Sequence, residues 1–220
     1  MSEADRRIAM FGGTFNPVHN AHLRAAVELR DAFELDALHM VPAHLPPHRD
    51  APGVSSRDRF EMLRLGIDDT PGLIADDREI RRDGPSWSVE TLRSLREHYG
   101  SDCRLMMVLG HDAFLGLPDW HRPRALFEQA HVVVIGRPHS DSLGNAALES
   151  LIDDRVVRSS AELMRHPAGG VLFFDATTPM SISSTDIRHR LAAGGCARYL
   201  LPPAVERYIT ARGFYRDGGS

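Results

Sequence analysis

The chain has 220 residues, of which 42% are hydrophobic and 25% charged, a composition that is typical of one globular domain with a well-buried core. Its formal charge of −4 argues against a nucleic-acid duplex as a partner, because binding to a phosphate backbone needs a basic face, but it leaves room for a small anionic ligand in a local pocket. The two cysteines form no CxxC pair, which leads us to expect a cytoplasmic protein. No apolar run approaches the roughly 20 residues of a membrane helix, so we expect no membrane partner, and the charge leads us to expect no nucleic-acid partner.

Short apolar runs alternate with helical patterns along the chain. The apolar runs predict strands at residues 8–11, 38–41, 73–75, 78–80, 104–109, 132–135 and 171–174. Helical periodicity predicts helices at residues 21–33, 57–66, 89–98, 124–129, 185–193 and 204–211. Such alternation is typical of an α/β fold with a Rossmann-like, doubly wound parallel sheet, which binds ligands beyond the carboxyl ends of its strands. We expect a single domain over residues 1–220 with a helical C-terminal portion and flexible tails at residues 1–6 and 216–220, whereas residues 141–165 give no clear pattern.

A glycine-rich block, Gly-Gly-Thr-Phe-Asn-Pro-Val-His-Asn-Ala-His at residues 12–22, directly follows the first predicted strand. The glycines let the backbone approach a ligand, and the first N–H groups of the following helix suit a phosphate. His19 and His22 are three residues apart and share one helix face, where they could donate hydrogen bonds to phosphate oxygens as charge builds in a transition state. The alternative is a tight turn with two incidental histidines.

A second helix start lies in Ile-Ser-Ser-Thr-Asp-Ile-Arg, residues 182–188. Ser183 stands three residues before Asp186, a spacing like that of a capping box. Thr185 adds a hydroxyl, and Arg188 lies one turn further on, where it could reach an anion at the mouth of the helix. A plain N-cap would explain Ser183 and Asp186 but not the arginine with two further hydroxyls.

The first block resembles the signature of the nucleotidyltransferase superfamily that shares a His-x-Gly-His motif with class I aminoacyl-tRNA synthetases. Ala21 stands where that family usually has Gly, and Asn16 stands where Asp is frequent. The second block looks like the family's Ile-Ser-Ser-Thr-x-Ile-Arg motif, which grips the β- and γ-phosphates of ATP. The resemblance implies catalytic roles for His19, His22 and Arg188. It implies ATP binding by Gly12, Gly13, Thr14, Phe15, His19, His22, Ser183, Ser184, Thr185 and Arg188.

Segments between the two blocks offer groups for a second substrate. A Pro-Pro pair holds His48 and Arg49 in an extended loop, either as cationic groups for a phosphate or as an ordinary solvated loop. Ser88 could cap the helix that follows it. Asp112, just past a strong strand, could accept hydrogen bonds from ribose hydroxyls or cap a helix. Trp120 could stack on a flat heteroaromatic ring or belong to the core.

These segments resemble bacterial nicotinate-nucleotide adenylyltransferases from residue 8 to residue 215. The matching stretches are the Pro-Pro-His-Lys/Arg loop, the Ser-Tyr-Thr-x-x-Thr-Leu stretch at residues 86–92 and the Arg-Pro-Gly segment at residues 137–139. Ala43 replaces a frequent Asn, and His139 replaces the Gly. The resemblance implies that the acceptor substrate is bound by His48, Arg49, Ser88, Gly110, Asp112, Trp120 and Arg137.

The implied reaction is adenylyl transfer from ATP to nicotinate mononucleotide, which gives deamido-NAD and pyrophosphate. Mg²⁺ would accompany ATP, held by ATP oxygens and water, because no dedicated ligand cage stands out in the sequence. An acceptor with the amide, nicotinamide mononucleotide, or another phosphomonoester stays open, as does a homodimer. Two further readings are a regulator that binds nucleotide without catalysis and a zinc hydrolase, and the latter would use His19, His22, His44 and His48.

Overall fold

A computed structural model of the chain describes residues 6–45, 53–136, 145–175 and 178–216. Within these residues the strands form one six-stranded sheet, in which every pairing is parallel and the order is β3-β2-β1-β4-β5-β6. The strands are β1 (Arg7–Gly13), β2 (Ala37–Pro42), β3 (Leu73–Ala75), β4 (Arg104–Gly110), β5 (His131–Ile135) and β6 (Val171–Phe174). The strand order reverses between β1 and β4, so the carboxyl ends of these two strands border the crevice where such sheets bind ligands. The predicted α/β fold is confirmed.

Helices cover both faces of the sheet. The helices are α1 (Asn20–Phe33), α2 (Ser56–Ile67), α3 (Arg78–Arg81), α4 (Ser88–Tyr99), α5 (His111–Leu115), α6 (Pro123–Gln129), α7 (Ala146–Ile152), α8 (Ser160–Leu163), α9 (Ser184–Ala192) and α10 (Pro203–Arg212). A short 3-10 helix, Leu117–Asp119, lies between α5 and α6. Every helix in the described part of the chain is too short or too polar to span a bilayer.

Two hydrophobic clusters lie on opposite faces of the sheet, as expected for a parallel sheet that is buried on both sides. Ala9 and Phe11 of β1 join α1, α2, α9 and α10 in one cluster. Ile8 and Met10 of the same strand join α4, α5, α6 and α7 in the other. The alternation follows from the two-residue period of a strand, and it explains why β1 reads as a continuous apolar run.

The strand predicted at residues 78–80 is wrong, because these residues belong to α3. The Asp76 carboxylate accepts the backbone N–H of Arg78 at 3.0 Å. The N–H groups of Ile80 and Arg81 then both bond to the carbonyl of Asp77, which closes a helical turn. Two acidic residues thus start a turn that the apolar pattern alone does not reveal.

Residues 141–165, which give no clear sequence pattern, contain α7 and α8. The structure describes this segment from residue 145 onward. Asn145 starts α7, since its side chain accepts the backbone N–H groups of Ala147 and Leu148. The structure also contains α5, a helix for which the sequence pattern carried no prediction. The tails predicted to be flexible lie outside the described residues except for Arg6 and Arg216.

Candidate active site

Gly13, the last residue of β1, stands directly before the turn between β1 and α1, residues 14–19, and has little room for a side chain. A Cβ on Gly13 would lie 3.0 Å from the ring of Phe15, closer than ordinary packing permits. Phe15 itself is only 2% exposed, and its ring packs edge-on against His22 with 5.0 Å between ring centroids. The side chain predicted to bind ATP therefore lies beneath the histidines, which leaves its backbone as the part that could meet a ligand.

His19 and His22 stack on each other, with 3.7 Å between ring centroids and 24° between ring planes. The backbone N–H of His19 donates to Nδ1 of His22 at 3.4 Å, which assigns the proton of a neutral His22 ring to Nε2. Nδ1 of His19 is buried and has no hydrogen-bond partner among the described residues. Buried polar atoms are seldom left without a hydrogen bond, so this nitrogen is a candidate for contact with a polar substrate group.

Burial keeps both imidazoles uncharged. It lowers the pKa of His22 to about 3, with the nearby His19 as the second cause, and it lowers the pKa of His19 to about 4. Near neutral pH each ring is therefore a hydrogen-bond donor and not a cation. A phosphate bound beside the rings would raise both pKa values, because a negative charge favours the protonated imidazole.

The start of α9 lies against this same turn. The hydroxyl of Ser184 donates to the carbonyl of Pro17 at 2.9 Å, a contact between residues 167 positions apart in the sequence. Arg188 donates through Nη1 to the carbonyl of Asn16 at 2.9 Å and through Nη2 to the hydroxyl of Thr185 at 3.2 Å. The structure thus brings the two predicted phosphate-binding blocks together at one loop.

The helix starts at this loop differ in how they are capped. Ser183 caps α9 as the sequence predicts, because its hydroxyl accepts the backbone N–H of Asp186 at 3.0 Å. At α1 the preceding residue is His19, and Ala21, the departure from the family pattern, fits within the first helical turn. A helix N-terminus presents partly positive N–H groups, so two such ends at one loop favour an anionic ligand.

Two residues outside the predicted motifs also hold this loop. The hydroxyl of Tyr215 donates to Oδ1 of Asn16 at 2.5 Å, from 199 positions along the chain. Arg59 donates to the carbonyl of Thr14 at 2.6 Å. Burial raises the pKa of Tyr215, so its phenol stays protonated and remains a donor. Neither residue belongs to a recognisable motif, and only the folded structure reveals their contacts.

The start of α4 is not capped as predicted. Trp87 precedes the helix, Ser88 is its first residue, and no side chain among the described residues caps it. The hydroxyl that does act is that of Ser86, which accepts the backbone N–H groups of His44 at 2.8 Å and Leu45 at 3.3 Å. The capping role assigned to Ser88 is wrong because the cap position is held by Trp87, and Ser88 already lies inside the helix. Ser86 is bound instead to the β2 loop, residues 43–45. The N–H of Glu90, in the first turn of α4, donates to the carbonyl of Trp87 at 3.0 Å.

Other predicted acceptor-binding residues lie at or just beyond the carboxyl end of β4. Gly110 ends that strand, and a Cβ placed on it would face open space. Asp112 is exposed in the first turn of α5. Trp120 is half-buried and packs against the second core cluster, so part of its ring is structural. His48, Arg49 and Arg137 lie outside the described residues.

A zinc site finds no support among the described residues, which contain no group of three or more His, Cys, Asp or Glu side chains that could hold a metal ion. Nδ1 of His44 is engaged by the hydroxyl of Ser56 at 2.8 Å. The face-to-face stacking of His19 and His22 also differs from two imidazoles converging on one ion.

Residues 10–190 match the profile of the cytidylyltransferase-like family. The "Probable nicotinate-nucleotide adenylyltransferase" of Chromohalobacter salexigens is 57% identical over 209 residues, which is 95% of each chain. The protein of the same name from Halorhodospira halophila is 46% identical over 215 residues, 98% of each chain. The fold is similar to that of the Plasmodium falciparum nicotinic acid mononucleotide adenylyltransferase complexed with NaAD. That structure matches with a TM-score of 0.70 and 15% identity over 96% of this chain and 97% of its own.

Proposed function

The chain belongs to the nicotinate-nucleotide adenylyltransferases of the cytidylyltransferase-like family, and from that membership we propose how its residues carry out the reaction. It transfers the adenylyl group of ATP to nicotinate mononucleotide, giving deamido-NAD and pyrophosphate in NAD biosynthesis. The observation that carries the assignment of roles is the meeting of α9 with the β1–α1 turn, next to the stacked histidines.

The phosphate of the mononucleotide attacks the α-phosphorus of ATP in line. The new P–O bond forms as the bond to the β-phosphate oxygen breaks, and pyrophosphate leaves. No protein nucleophile takes part, so catalysis consists of positioning and of stabilising charge. His19 and His22 donate hydrogen bonds to the α- and β-phosphates.

The remaining ATP contacts come from the two loops that α9 brings together. The backbone of Gly12, Gly13, Thr14 and Phe15 lies against the nucleotide, and the missing side chain of Gly13 lets the buried ring of Phe15 pack close to the strand end. The N–H groups at the start of α9, together with Ser183, Ser184, Thr185 and Arg188, bind the leaving pyrophosphate. Arg188 is held by the carbonyl of Asn16 and the hydroxyl of Thr185, and among the described residues it has no carboxylate partner that would neutralise it.

The acceptor lies on the other side of the crevice. His48 and Arg49 bind its phosphate, and Gly110 and Asp112 lie along its ribose, with the exposed carboxylate of Asp112 accepting from the hydroxyls. Trp120 stacks on the pyridine ring, and the uncapped start of α4 at Ser88 offers N–H groups to the pyridine carboxylate. Arg137 helps to hold the nucleotide.

Mg²⁺ fits as the partner of ATP. The described residues provide no acidic cage for it, so the ion would be held by phosphate oxygens and water, which is the coordination that Mg²⁺ prefers. When bound, it neutralises the pyrophosphate that forms. A single domain over residues 1–220 and a cytoplasmic location complete the proposal, and a homodimer stays an open prediction.

The experiment that tests this function is pyrophosphate release with product identification. ATP labelled at the α-phosphate is supplied with Mg²⁺ and either nicotinate mononucleotide, phosphopantetheine or no acceptor. We expect label in deamido-NAD with the first acceptor, little turnover with the other two, and loss of activity in EDTA that Mg²⁺ restores. Faster turnover with phosphopantetheine would contradict the assignment, and so would release of labelled AMP without an acceptor.

A further inference from the structure

Arg59, on α2, is a fully buried arginine. Burial lowers its pKa, and the negative charge of the buried Glu79 acts in the opposite direction. The Arg59 side chain is 0% exposed, and it forms no ion pair with any carboxylate of the described residues. Nη1 donates to the carbonyl of Thr14 at 2.6 Å, and Nη2 donates to the carbonyls of Ala43 at 2.6 Å and His44 at 3.4 Å. Among the described residues the guanidinium hydrogen-bonds to backbone carbonyls and not to a carboxylate, and its Nε has no hydrogen-bond partner. Burying a charge in this way is unfavourable, and a hydrophobic side chain would be more stable at such a place in a core.

The carbonyls that Arg59 binds belong to two different loops. Thr14 lies in the β1–α1 turn, and Ala43 and His44 lie in the β2 loop. These loops leave neighbouring parallel strands, with Gly13 opposite Pro42 and with the N–H of Ala43 donating to the carbonyl of Gly13 at 2.9 Å. Beyond that point the ladder ends, and the guanidinium is the next hydrogen-bonded link between them.

The β2 loop is in turn hydrogen-bonded to Ser86, on the side of the crevice where the acceptor is proposed to bind. Ser86 accepts N–H groups from His44 and Leu45, and its own N–H donates to the carbonyl of Leu45 at 3.2 Å. Ser86 stands two residues before Ser88, the first residue of α4. A continuous set of hydrogen bonds therefore runs from the turn at the ATP phosphates, through Arg59, to the helix start at the pyridine ring.

We propose that Arg59 is a positioning residue for adenylyl transfer: it fixes the two substrate loops relative to each other and thereby aligns the attacking phosphate with the α-phosphorus. The inference rests on the function proposed above for these loops. Transfer without a protein nucleophile depends on alignment, and a misplacement of about 1 Å can lower a rate roughly 10²-fold. Each loop keeps its own contacts to its own substrate, so loss of the link lowers kcat more than it raises either KM.

The test compares Arg59→Lys and Arg59→Met with the wild type in steady-state kinetics. Lysine keeps the charge, but a single ammonium on a flexible stem does not reproduce the fork that reaches both loops. We expect kcat to fall about 10-fold in Arg59→Lys and about 100-fold in Arg59→Met, with KM for ATP and for nicotinate mononucleotide within about threefold of the wild type. A purely structural arginine would lower the melting temperature and leave kcat unchanged.

Arg64→Met is the matched control, because Arg64 lies on the same helix but is exposed, and its salt bridge among the described residues is with the nearby Glu61. Thermal unfolding establishes that each variant is folded at the assay temperature. If the Arg59 variants do not fold, Ser86→Ala breaks the next link of the same path and should lower kcat about fivefold at unchanged KM.

The kinetic results distinguish a failure of the proposed function from a failure of the positioning role of Arg59. A wild type that does not adenylylate nicotinate mononucleotide overturns the proposed function. An active wild type with full kcat in Arg59→Lys, or with a raised KM as the only change, overturns the positioning role. Where the Arg59 variants do not fold, full kcat in Ser86→Ala overturns it as well.

Discussion

At the scale of residues, the proposed mechanism depends on which ring nitrogens of His19 and His22 can donate to a phosphate. Nδ1 of His22 is occupied by the backbone N–H of His19, so Nε2 of His22 is the atom that can donate to a phosphate. Phe11 and Phe15 pack edge-on against the His22 ring and hold its plane. The spacing of the two histidines in the sequence indicates a shared face, but their stacking and their uncharged state follow from burial, which only the fold supplies.

Replacing His22 with alanine tests this donor. We expect His22→Ala to lower kcat by about 10²–10³-fold, the scale for losing one hydrogen bond to a developing charge, while the affinity for ATP falls much less. Initial-rate kinetics at saturating nicotinate mononucleotide, with ATP binding measured separately by titration, give both quantities. Near-normal turnover in the variant would remove the histidine from the mechanism.

At the scale of elements, apolar periodicity predicts the bounds of strands and long helices well. It does not predict helix starts that depend on individual side chains. The strands β1, β2 and β4 and the helices α1, α2 and α10 follow their predicted ranges within one or two residues at most ends, because apolar periodicity depends on the sheet faces they cover. α3 escapes prediction because its start depends on a single side-chain acceptor, the carboxylate of Asp76, and not on apolar periodicity. The contacts of Arg59 and Tyr215 escape because they join residues 45 and 199 positions away, and no local pattern encodes such distances.

The capping of α9 offers a test of how one helix start contributes to ATP binding. Ser183→Ala removes the acceptor for the N–H of Asp186 and should cost about 1 kcal/mol of unfolding free energy. It should also raise KM for ATP several-fold, because the start of α9 then frays. Denaturant unfolding and steady-state kinetics measure the two effects.

Ser159→Ala is the matched control, since Ser159 caps α8 in the same way through the N–H of Glu162 at 3.2 Å. That helix packs beside β6 and takes no part in the candidate site. The control should lose stability without a change in KM for ATP. Equal changes of KM in both variants would show that the effect of Ser183 is one of general stability.

For the whole molecule, buried neutral histidines make stability depend on pH. His131 at the start of β5 is 1% exposed, accepts the N–H of Gly170 at Nδ1 and donates through Nε2 to the carbonyl of His166. Burial lowers its pKa to about 4, as it does for His19. These groups bind protons in the unfolded chain at a higher pH than in the folded one, so the unfolded state gains from acid.

The stability that these histidines contribute is therefore fully present above pH 6.5 and is lost as the pH falls from 6.5 toward 4. We expect the free energy of unfolding to fall by about 1.4 kcal/mol per pH unit for each such histidine in this range. The pKa of Asp76 is lowered to about 2 and shifts stability only below pH 3.8, outside this window. Chemical denaturation at pH 7.5, 6 and 5 measures the slope, and a flat profile would contradict the buried neutral state.

The central claim is that this crevice takes the acid form of the pyridine nucleotide. In the proposed site, N–H groups at the uncapped start of α4 would match the acceptor oxygens of nicotinate, whereas the NH₂ of nicotinamide would set a donor against a donor. The most direct measurement is kcat/KM for nicotinate mononucleotide and for nicotinamide mononucleotide under the same saturating ATP and Mg²⁺. We predict a ratio of at least ~10² in favour of the nicotinate form. Comparable values for the two mononucleotides would contradict an acid-specific site.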